Sequence, residues 1–352
     1  MMLDYIVVGL GLAGTAFCET LRKHNKRFVV FNDSSQGASM VAGGLSNPVI
    51  LKRFTLAWQA STLIPVANSF YHELEHTLGK KLISSLPVYR RFASVAEQNL
   101  WFEAADKQEL KNYLSPTLVR NSNKGLIAPY DFGNVLHASR LDTALTLKSY
   151  ITLLEREGLL VSDSFDHAHL EQNSSHVTYG SMTAKQIVFT EGFGLQQNPF
   201  FNYLPMQGSK GEYLIIKCLK LKEKNAIKSS VFVIPLGNDL YKIGANYDRD
   251  TSNNLPTDNT KIELIRKLNA LLDCPYEVVG HQAGIRPTVK DRKPLVGQHP
   301  EYDRLFVLNG FGSHGIMIGP WAADQLFSSI EKGNDLNLEI DIKRYISDYS
   351  KA

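Results

Sequence analysis

The sequence lacks the cysteine patterns of metal-binding and disulfide-rich proteins. Only three of its 352 residues are cysteines, an odd number without paired ligand spacing. We therefore expect Cys18, Cys218 and Cys274 to be small buried hydrophobes in a reducing compartment, and the protein to be cytoplasmic. His167 and His169 alternate in a predicted strand and have no cysteine or acidic partner at ligand spacing. No metal site is predicted.

Long apolar runs and blocks of one charge are also missing. No stretch approaches the ~18 apolar residues of a membrane helix, so no membrane span is predicted. The N-terminus carries Asp4 in place of a basic leader, which does not fit a signal peptide. The net charge is +3, and no run of five or six like charges predicts a nucleic-acid partner. The lysine-rich stretch Lys217–Lys228 is interpreted as a solvated loop or hairpin tip.

The first thirty residues follow the pattern of a βαβ unit. Leu3–Val8 is a short apolar run that ends at Gly9, which is typical of a buried parallel strand. Apolar residues then recur at helical spacing until His24, and Phe28–Phe31 is a second apolar run. Strand, glycine turn, helix and strand in this order predict a nucleotide-binding fold.

A Gly-x-Gly-x-x-Gly motif lies between the first strand and the helix. It consists of Gly9, Gly11 and Gly14, with Leu12 and Ala13 between the second and third glycines. The first glycine permits a tight turn, the second lets backbone approach a pyrophosphate, and the third lets the helix pack closely on the strand. The helix N-terminus then faces the phosphates. The motif predicts a dinucleotide but does not choose between NAD and FAD.

The end of the second strand normally carries an acidic residue that binds the adenosine ribose. Asn32 falls at this position, and Asp33 follows it. The carbonyl oxygen of an asparagine can accept a ribose hydroxyl without carrying charge. Asp33 could take its place if the strand ended one residue later. Both residues are kept as candidates.

The remaining patterns predict helices, buried strands and a second sheet. The stretch Gly37–Asn47 is so rich in small residues that no regular structure is expected there. Helices are predicted at Leu56–Leu78, Trp101–Leu114, Leu141–Glu157 and Trp321–Ile330. Short strands are predicted at Leu159–Val161, His176–Tyr179, Gln186–Thr190 and Leu305–Leu308. An antiparallel or mixed sheet in a second domain is indicated by the alternating runs Tyr213–Lys217, Val231–Pro235 and Tyr241–Ala245.

Four segments of the chain together match one family pattern. The glycine motif is the first, and the small-residue stretch Ala38–Gly44 is the second. The third is Gly208–Glu212 followed by a strand, with Gly244–Asp248 later. The fourth comprises Ala283–Pro287, Asp291, Pro294–Gly297 and the loop Asn309–Ile316. In these segments the sequence resembles the D-amino-acid oxidase and glycine oxidase superfamily of FAD-dependent amine oxidoreductases.

The resemblance implies FAD as the cofactor. The FAD is expected to be non-covalent, because no cysteine lies where some family members attach flavin. The helix after Gly315 would point its N-terminus at the flavin pyrimidine ring and favour negative charge there, and Pro320 fits an early position in that helix. The implied cofactor contacts are Gly9, Gly11, Leu12, Ala13, Gly14, Asn32, Asp33, Ser39, Ala42, Gly43, Gly44, Gly192, Gly310, Gly312, Ser313, His314, Gly315 and Ile316.

The resemblance also implies the chemistry. A small amine or amino acid would pass a hydride to flavin N5, the imine would hydrolyse, and oxygen or another acceptor would reoxidise the flavin. Arg286 is the first candidate for the substrate carboxylate, because a guanidinium fork matches a carboxylate. Ser313 stands near the position where glycine oxidases carry a second arginine, so the pocket is less cationic. Lys52 or Arg53 could supply the missing charge.

Three further residues are candidates for the substrate site. His314 lies between two glycines and could donate a hydrogen bond to flavin or substrate, as in similar sarcosine-oxidase-like sequences. Tyr247 and Tyr241 could line the pocket. The expected catalytic set consists of Arg286, His314, Ser313, Tyr247 and Arg53.

The expected fold class is α/β, with a Rossmann-like FAD-binding domain and a second α+β substrate domain on a mixed or antiparallel sheet. The FAD-binding domain would comprise residues 1–84, 135–204 and 281–352. The substrate domain would be inserted as residues 85–134 and 205–280.

Three alternative functions stay open at this point. One is the oxidase half of the bifunctional enzyme that finishes wobble-uridine modification in tRNA, which the Gly-Ser-His-Gly loop resembles. The sequence holds no methyltransferase half, however, and no basic patch predicts an RNA-binding face. The others are a flavin-binding module without amine turnover and a nicotinamide-dependent dehydrogenase.

Overall fold

The computed structural model describes residues 2–250 and 253–349. In these ranges the helices are α1 (Leu12–Lys23), α2 (Ala38–Val41), α3 (Ala60–Leu78), α4 (Val95–Ala105), α5 (Thr143–Arg156), α6 (Asp258–Asn269), α7 (Gly315–Lys332) and α8 (Ile346–Tyr349). Short 3-10 helices lie at His167–His169, Gly192–Gln197 and Ile342–Tyr345.

The strands fall into two large sheets and two small ones. In the first half of the chain they are β1 (Leu3–Val8), β2 (Phe28–Phe31), β3 (Leu45–Ser46), β4 (Val49–Ile50), β5 (Thr55–Leu56), β6 (Ile83–Ser85), β7 (Val88–Arg91), β8 (Phe132–Val135), β9 (Ser139–Leu141) and β10 (Leu160–Val161). The second half contains β11 (Leu170–Gln172), β12 (Val177–Tyr179), β13 (Met182–Phe189), β14 (Met206–Lys217), β15 (Ala226–Lys228), β16 (Phe232–Gly237), β17 (Leu240–Gly244), β18 (Glu277–Val289), β19 (Leu295–Gln298) and β20 (Leu305–Asn309).

The first large sheet is built around β1. Its strand order is β10-β2-β1-β13-β12-β11, and β20 adds to β13. The pairs of β1 with β2, β1 with β13 and β13 with β20 are parallel. Most of β1 is buried because helices cover the sheet, which explains its unbroken apolar sequence. The predicted βαβ unit is therefore present.

The second large sheet has the order β18-β14-β17-β16-β15-β7-β8. Its strands pair antiparallel except for β15 and β7, so the sheet is mixed, as the alternating runs predict. The α/β fold class is thereby confirmed. The long strand β18 runs across the predicted domain limit between residues 280 and 281. The domain limits themselves stay predictions.

Three local predictions are wrong. The small-residue stretch is not irregular, because Ala38–Val41 forms a helical turn and Leu45–Ser46 pairs with β9. His167 and His169 lie in a 3-10 helix that the Asp166 side chain caps, so they do not alternate on a strand. The last helix begins at Gly315, as the resemblance implies, but six residues before the start that the apolar pattern predicts, so Pro320 lies inside it. Gly315 and Gly319 let the helix approach Leu12.

Helix α7 packs on α1 and α3 in the largest apolar cluster. Cys18 lies in that cluster, while the Sγ atoms of Cys218 and Cys274 are 3.4 Å apart in the apolar cluster at the second sheet. Within residues 2–250 and 253–349, no helix is both long and apolar enough to cross a membrane. The same residues contain no cluster of three or more His, Cys, Asp or Glu side chains that could hold a metal ion.

The α7 packing gives a stability prediction. Leu326 is fully buried in the α1–α7 cluster, whereas Leu338 beyond α7 is 85% exposed. Leu326→Ala should lower the free energy of unfolding by about 2–5 kcal/mol, because it removes apolar contacts and leaves a cavity. Leu338→Ala is the matched control and should change it by less than about 0.5 kcal/mol. Denaturant unfolding measures both, and equal effects would contradict this packing.

Candidate active site

The glycine motif forms a turn that side chains would block. Gly9 has a φ of +97°, a left-handed conformation that favours glycine. A Cβ on Gly14 would collide with the carbonyl oxygen of Gly9 and would lie 2.9 Å from the Thr190 Oγ1. The Thr190 hydroxyl donates to the Gly9 carbonyl oxygen over 2.6 Å and fixes the turn against β13. The close approach of helix and strand requires glycine at these two positions.

The N-terminus of α1 is suited to bind an anion. Its N-cap is Gly11, which offers no side-chain acceptor, and its first turn has no acidic residue. The amide of Leu12 donates to Ser39 Oγ over 3.2 Å, so Ser39 of α2 stands directly at this helix end. Unpaired amides and the helix dipole favour a phosphate at such a site. The local chemistry therefore fits the pyrophosphate of a dinucleotide.

The two ribose candidates differ in their hydrogen bonds. Asp33 is engaged, because its carboxylate accepts from the Ser35 amide over 2.9 Å and from the Ser164 hydroxyl over 2.9 Å. These contacts lower its pKa in spite of partial burial, which raises it. Asn32 directly follows β2, and its side-chain amide makes only a long 3.5 Å bond to Ser34 Oγ among the described residues. Asn32 is therefore the less engaged of the two side chains, and ribose binding by either residue stays a prediction.

The small-residue segment 38–44 lies between the nucleotide turn and the second sheet. A Cβ on Gly284 of β18 would meet Ala38 and Val41, and a Cβ on Gly43 would lie 3.3 Å from the Tyr213 hydroxyl. Gly44 has a φ of +79° and touches Leu141. Ala42 ends α2. The segment therefore presses its backbone against β14 and β18.

The C-terminal glycine loop closes the other side of the nucleotide turn. Gly310 and Gly312 have positive φ values of +77° and +55°, and the Gly312 amide donates to the Pro287 carbonyl oxygen on β18. A Cβ on Gly315 would lie 3.3 Å from a Leu12 methyl. The loop thus connects α1 with β18. The buried Ile316 follows in α7, and the carbonyl of Gly192 accepts from Asn309 over 3.0 Å at the loop's entry.

His314 is the N-cap residue of α7, and its carbonyl oxygen accepts from the amides of Met317 and Ile318. Its Nδ1 lies 3.3 Å from the Ser313 hydroxyl. Burial lowers the pKa of His314 below the ordinary value, so the neutral ring is favoured. The two residues form one polar pair beside the nucleotide turn.

Arg286 extends over Gly211 on the face of the second sheet that meets segment 38–44. A Cβ on Gly211 would collide with its guanidinium, so glycine makes room for it. Nη1 donates to the carbonyl oxygens of Ser209 and Asn246 over 3.3 and 3.4 Å. The ring of Tyr247 lies 4.6 Å from the Arg286 Cζ and is 71% exposed. Arg286 forms no ion pair with any residue of 2–250 or 253–349.

Three other candidates lie elsewhere. Tyr241 does not line this face, because it is buried in the opposite core and its hydroxyl bonds the backbone of Glu223. Lys52 and Arg53 are exposed in the turn between β4 and β5. A role for Arg53 stays a prediction.

Lys242 was not found from the sequence. It lies on β17, is 8% exposed, and donates to the carbonyl oxygens of Val41 and Ala42 over 3.1 Å each. Its Nζ is 5.4 Å from the Tyr213 ring. Burial, with Arg140 nearby, lowers the pKa of Lys242 to about 8. A lysine that alternates with apolar strand residues normally faces solvent, so only the tertiary contact reveals it.

These features define a nucleotide-binding fold with a glycine turn at a parallel sheet, and with an arginine on the facing sheet that has no acidic partner among the described residues. The family model described as FAD dependent oxidoreductase (DAO) matches residues 4–328. The chain therefore belongs to this family. It is an FAD-dependent oxidoreductase.

Individual relatives are distant. The glycine oxidase of Bacillus subtilis is 22% identical over 366 residues, which cover 95% of this chain and 94% of that protein. The tRNA 5-methylaminomethyl-2-thiouridine biosynthesis bifunctional protein MnmC of Shewanella sediminis is 25% identical over 254 residues, which cover 58% of this chain but only 35% of that protein. The solved structure of glycine oxidase from Geobacillus kaustophilus has a TM-score of 0.78 at 18% identity and covers 98% of each chain. That structural likeness shows the fold.

The tight turn predicts the effect of one methyl group on FAD binding. Gly14→Ala should weaken FAD binding at least about tenfold, because the new Cβ meets the Gly9 carbonyl oxygen and moves the α1 amides. Gly37→Ala is the control, since a Cβ there meets nothing within 4 Å. Titration of apoprotein with FAD, followed by flavin fluorescence, gives both dissociation constants. Unchanged affinity in Gly14→Ala would contradict the assignment of the turn.

The buried Lys242 predicts a pH dependence of stability. Its pKa is about 8 in the folded protein against an ordinary 10.5, so the unfolded chain binds more protons between these values. The group therefore lowers stability below pH 8, and this cost is relieved as the pH rises from 8 to 10.5. Relative to Lys242→Met, the free energy of unfolding should rise by up to about 1.4 kcal/mol per pH unit in this window. The exposed control Lys220→Met should run parallel to the parent, and a parallel course for Lys242→Met would refute the shift.

Proposed function

We infer that this protein oxidises the C–N bond of a small amino acid or a secondary amine that carries a carboxylate. The observation that carries the proposal is Arg286, a guanidinium without a carboxylate partner among the described residues, on the face of the second sheet that meets segment 38–44. The similarity to glycine oxidase supports the same substrate class. Glycine is the substrate in that relative's name, and it is not proposed as the substrate of this chain.

The surroundings of Arg286 suit a carboxylate ligand. Its contacts to Ser209 and Asn246 involve only neutral carbonyl oxygens and use Nη1, so its positive charge is left unbalanced. Those carbonyls fix the guanidinium plane before a ligand arrives. A guanidinium held in this way can donate two parallel hydrogen bonds to a carboxylate. Tyr247 covers one face of the guanidinium and would limit the access of water.

The remaining residues provide electrostatics rather than proton transfer. FAD, when bound, accepts a hydride from the carbon that bears the amine. Helix α7 begins at Gly315 and lacks an acidic residue in its first turn, so its dipole favours the negative charge that reduction adds. His314 is kept neutral by burial and can donate one hydrogen bond. Ser313 bonds His314 and would orient its ring.

The proposal also covers the attachment of FAD, the location of the protein, its electron acceptor and its domains. FAD is bound without a covalent bond, and the protein works in the cytoplasm. Electrons leave to oxygen or to another acceptor, and peroxide formation during aerobic turnover separates the two. We propose the division into an FAD domain and a substrate domain at the limits given above.

A second candidate function rests on the 25% identity to the MnmC protein. In this alternative the amine is carried on a modified tRNA. The chain spans about a third of that relative's length, and its net charge is only +3. Filter binding with tRNA at several salt concentrations discriminates the two candidates. Tight binding that weakens steeply with salt would favour the tRNA substrate over a free amine.

The test is anaerobic reduction of the bound flavin by a panel of amino acids, N-methyl amino acids and cyclic imino acids. Bleaching of the visible flavin bands by at least one carboxylated amine is expected. For that substrate, Arg286→Met should raise KM about 10- to 100-fold, because a charge-assisted contact is lost. The control Arg266→Met removes an exposed arginine of α6 and should leave KM unchanged. No bleaching by any amine would favour a flavin module without turnover.

A further inference from the structure

We propose that Glu212 is a positioning residue that holds Arg286 and Tyr247 in place from the opposite face of β14. The inference rests on the proposed function, since it assumes that Arg286 binds the substrate carboxylate. The Arg286 side chain extends over Gly211, and Glu212 is the next residue of β14. Because neighbouring residues of a strand face opposite sides, the Glu212 side chain and the Arg286 guanidinium lie on opposite faces of β14.

Glu212 is a buried carboxylate with an unusually complete set of partners. It is only 1% exposed. Thr257, the N-cap of α6, donates its amide to Oε2 over 2.8 Å and its hydroxyl to Oε1 over 3.0 Å. Lys210 Nζ and His281 Nε2 lie 3.5 and 2.9 Å from the same carboxylate. A buried carboxylate is destabilising unless it is paired and hydrogen-bonded, so this complete set of partners indicates that Glu212 has a structural role.

The backbone of Glu212 makes the second half of the connection. Its amide donates to the Asn246 Oδ1 over 2.8 Å, and the Asn246 Nδ2 donates to Thr260 Oγ1 in α6 over 3.2 Å. The Asn246 carbonyl oxygen accepts from Arg286 Nη1, and Tyr247 follows it over the guanidinium. One residue therefore anchors both the start of α6 and the backbone that carries Tyr247.

The chemistry of the site requires a carboxylate and not an amide. Thr257 presents two donors, one to each oxygen of Glu212. A glutamine has one acceptor oxygen, so its NH2 group would face the Thr257 amide in one orientation and the Lys210 ammonium in the other. Glu212→Gln keeps the volume and the backbone amide but loses one side-chain bond to the start of α6. Because Thr260 of α6 accepts from the Asn246 side chain, a shift of this helix start should move the Asn246–Tyr247 backbone relative to Arg286.

The readout is the binding of a carboxylate to the FAD-loaded protein. Acetate, which has no amine to oxidise, is the probe, and the visible difference spectrum of the flavin reports its dissociation constant. In Glu212→Gln we expect acetate to bind about tenfold more weakly, with FAD content and flavin spectrum unchanged. Glu223→Gln is the control, because its carboxylate also accepts backbone amides but lies in the loop after β14, beyond the strand's far end. This variant should bind acetate like the parent.

Two results would overturn the inference or its foundation, and they are distinguishable. If Arg286→Met abolishes acetate binding while FAD-loaded Glu212→Gln binds like the parent, Glu212 does not position Arg286. If Arg286→Met binds acetate like the parent, the proposed function itself fails. Should Glu212→Gln not fold, Thr257→Val removes the hydroxyl donor to the same carboxylate together with the N-cap of α6, and it should weaken acetate binding about threefold. Parent-like binding in that variant would equally overturn the inference.

Discussion

The contact of α1 with the Gly9 turn is the constraint on which the remaining structure depends. Because Gly14 has no side chain, the helix starts directly above the Gly9 carbonyl oxygen, and its first amides point away from β1 into the space beside Ser39. Every other part of the site is placed relative to this helix end. Segment 38–44 flanks it, and α7 reaches it through Gly315. A bulkier residue at Gly14 would displace all of these contacts together.

The second sheet contributes what the nucleotide fold does not contain. Tyr213 on β14, Lys242 on β17 and Arg286 on β18 lie on the face of this sheet that meets segment 38–44. Glycines at 211 and 284 create the space for the guanidinium and for α2. We propose that the first sheet and α1 supply amides and a helix dipole for phosphates, and that the second sheet supplies fixed positive charge for a small anion.

Much of this arrangement could be predicted from the sequence, because it depends on local patterns. The βαβ unit follows from an apolar run, spaced glycines and helical periodicity, and Arg286 lies in a segment that matches a family. What the sequence could not reveal depends on partners distant along the chain. Lys242 and Glu212 occupy strand positions where a charged residue normally faces solvent, and only their contacts with Val41 and Thr257 show that they are buried. Helix α2 was missed because glycines surround a four-residue turn.

A crystal structure of the FAD-loaded protein with an unreactive amino-acid analogue would test the account most directly. We expect the FAD pyrophosphate to accept hydrogen bonds from the first amides of α1. We expect the analogue's carboxylate within hydrogen-bond distance of Arg286, between the flavin ring and the β14–β18 face. A flavin ring placed away from segment 38–44, or an analogue whose carboxylate avoids Arg286, would contradict the account.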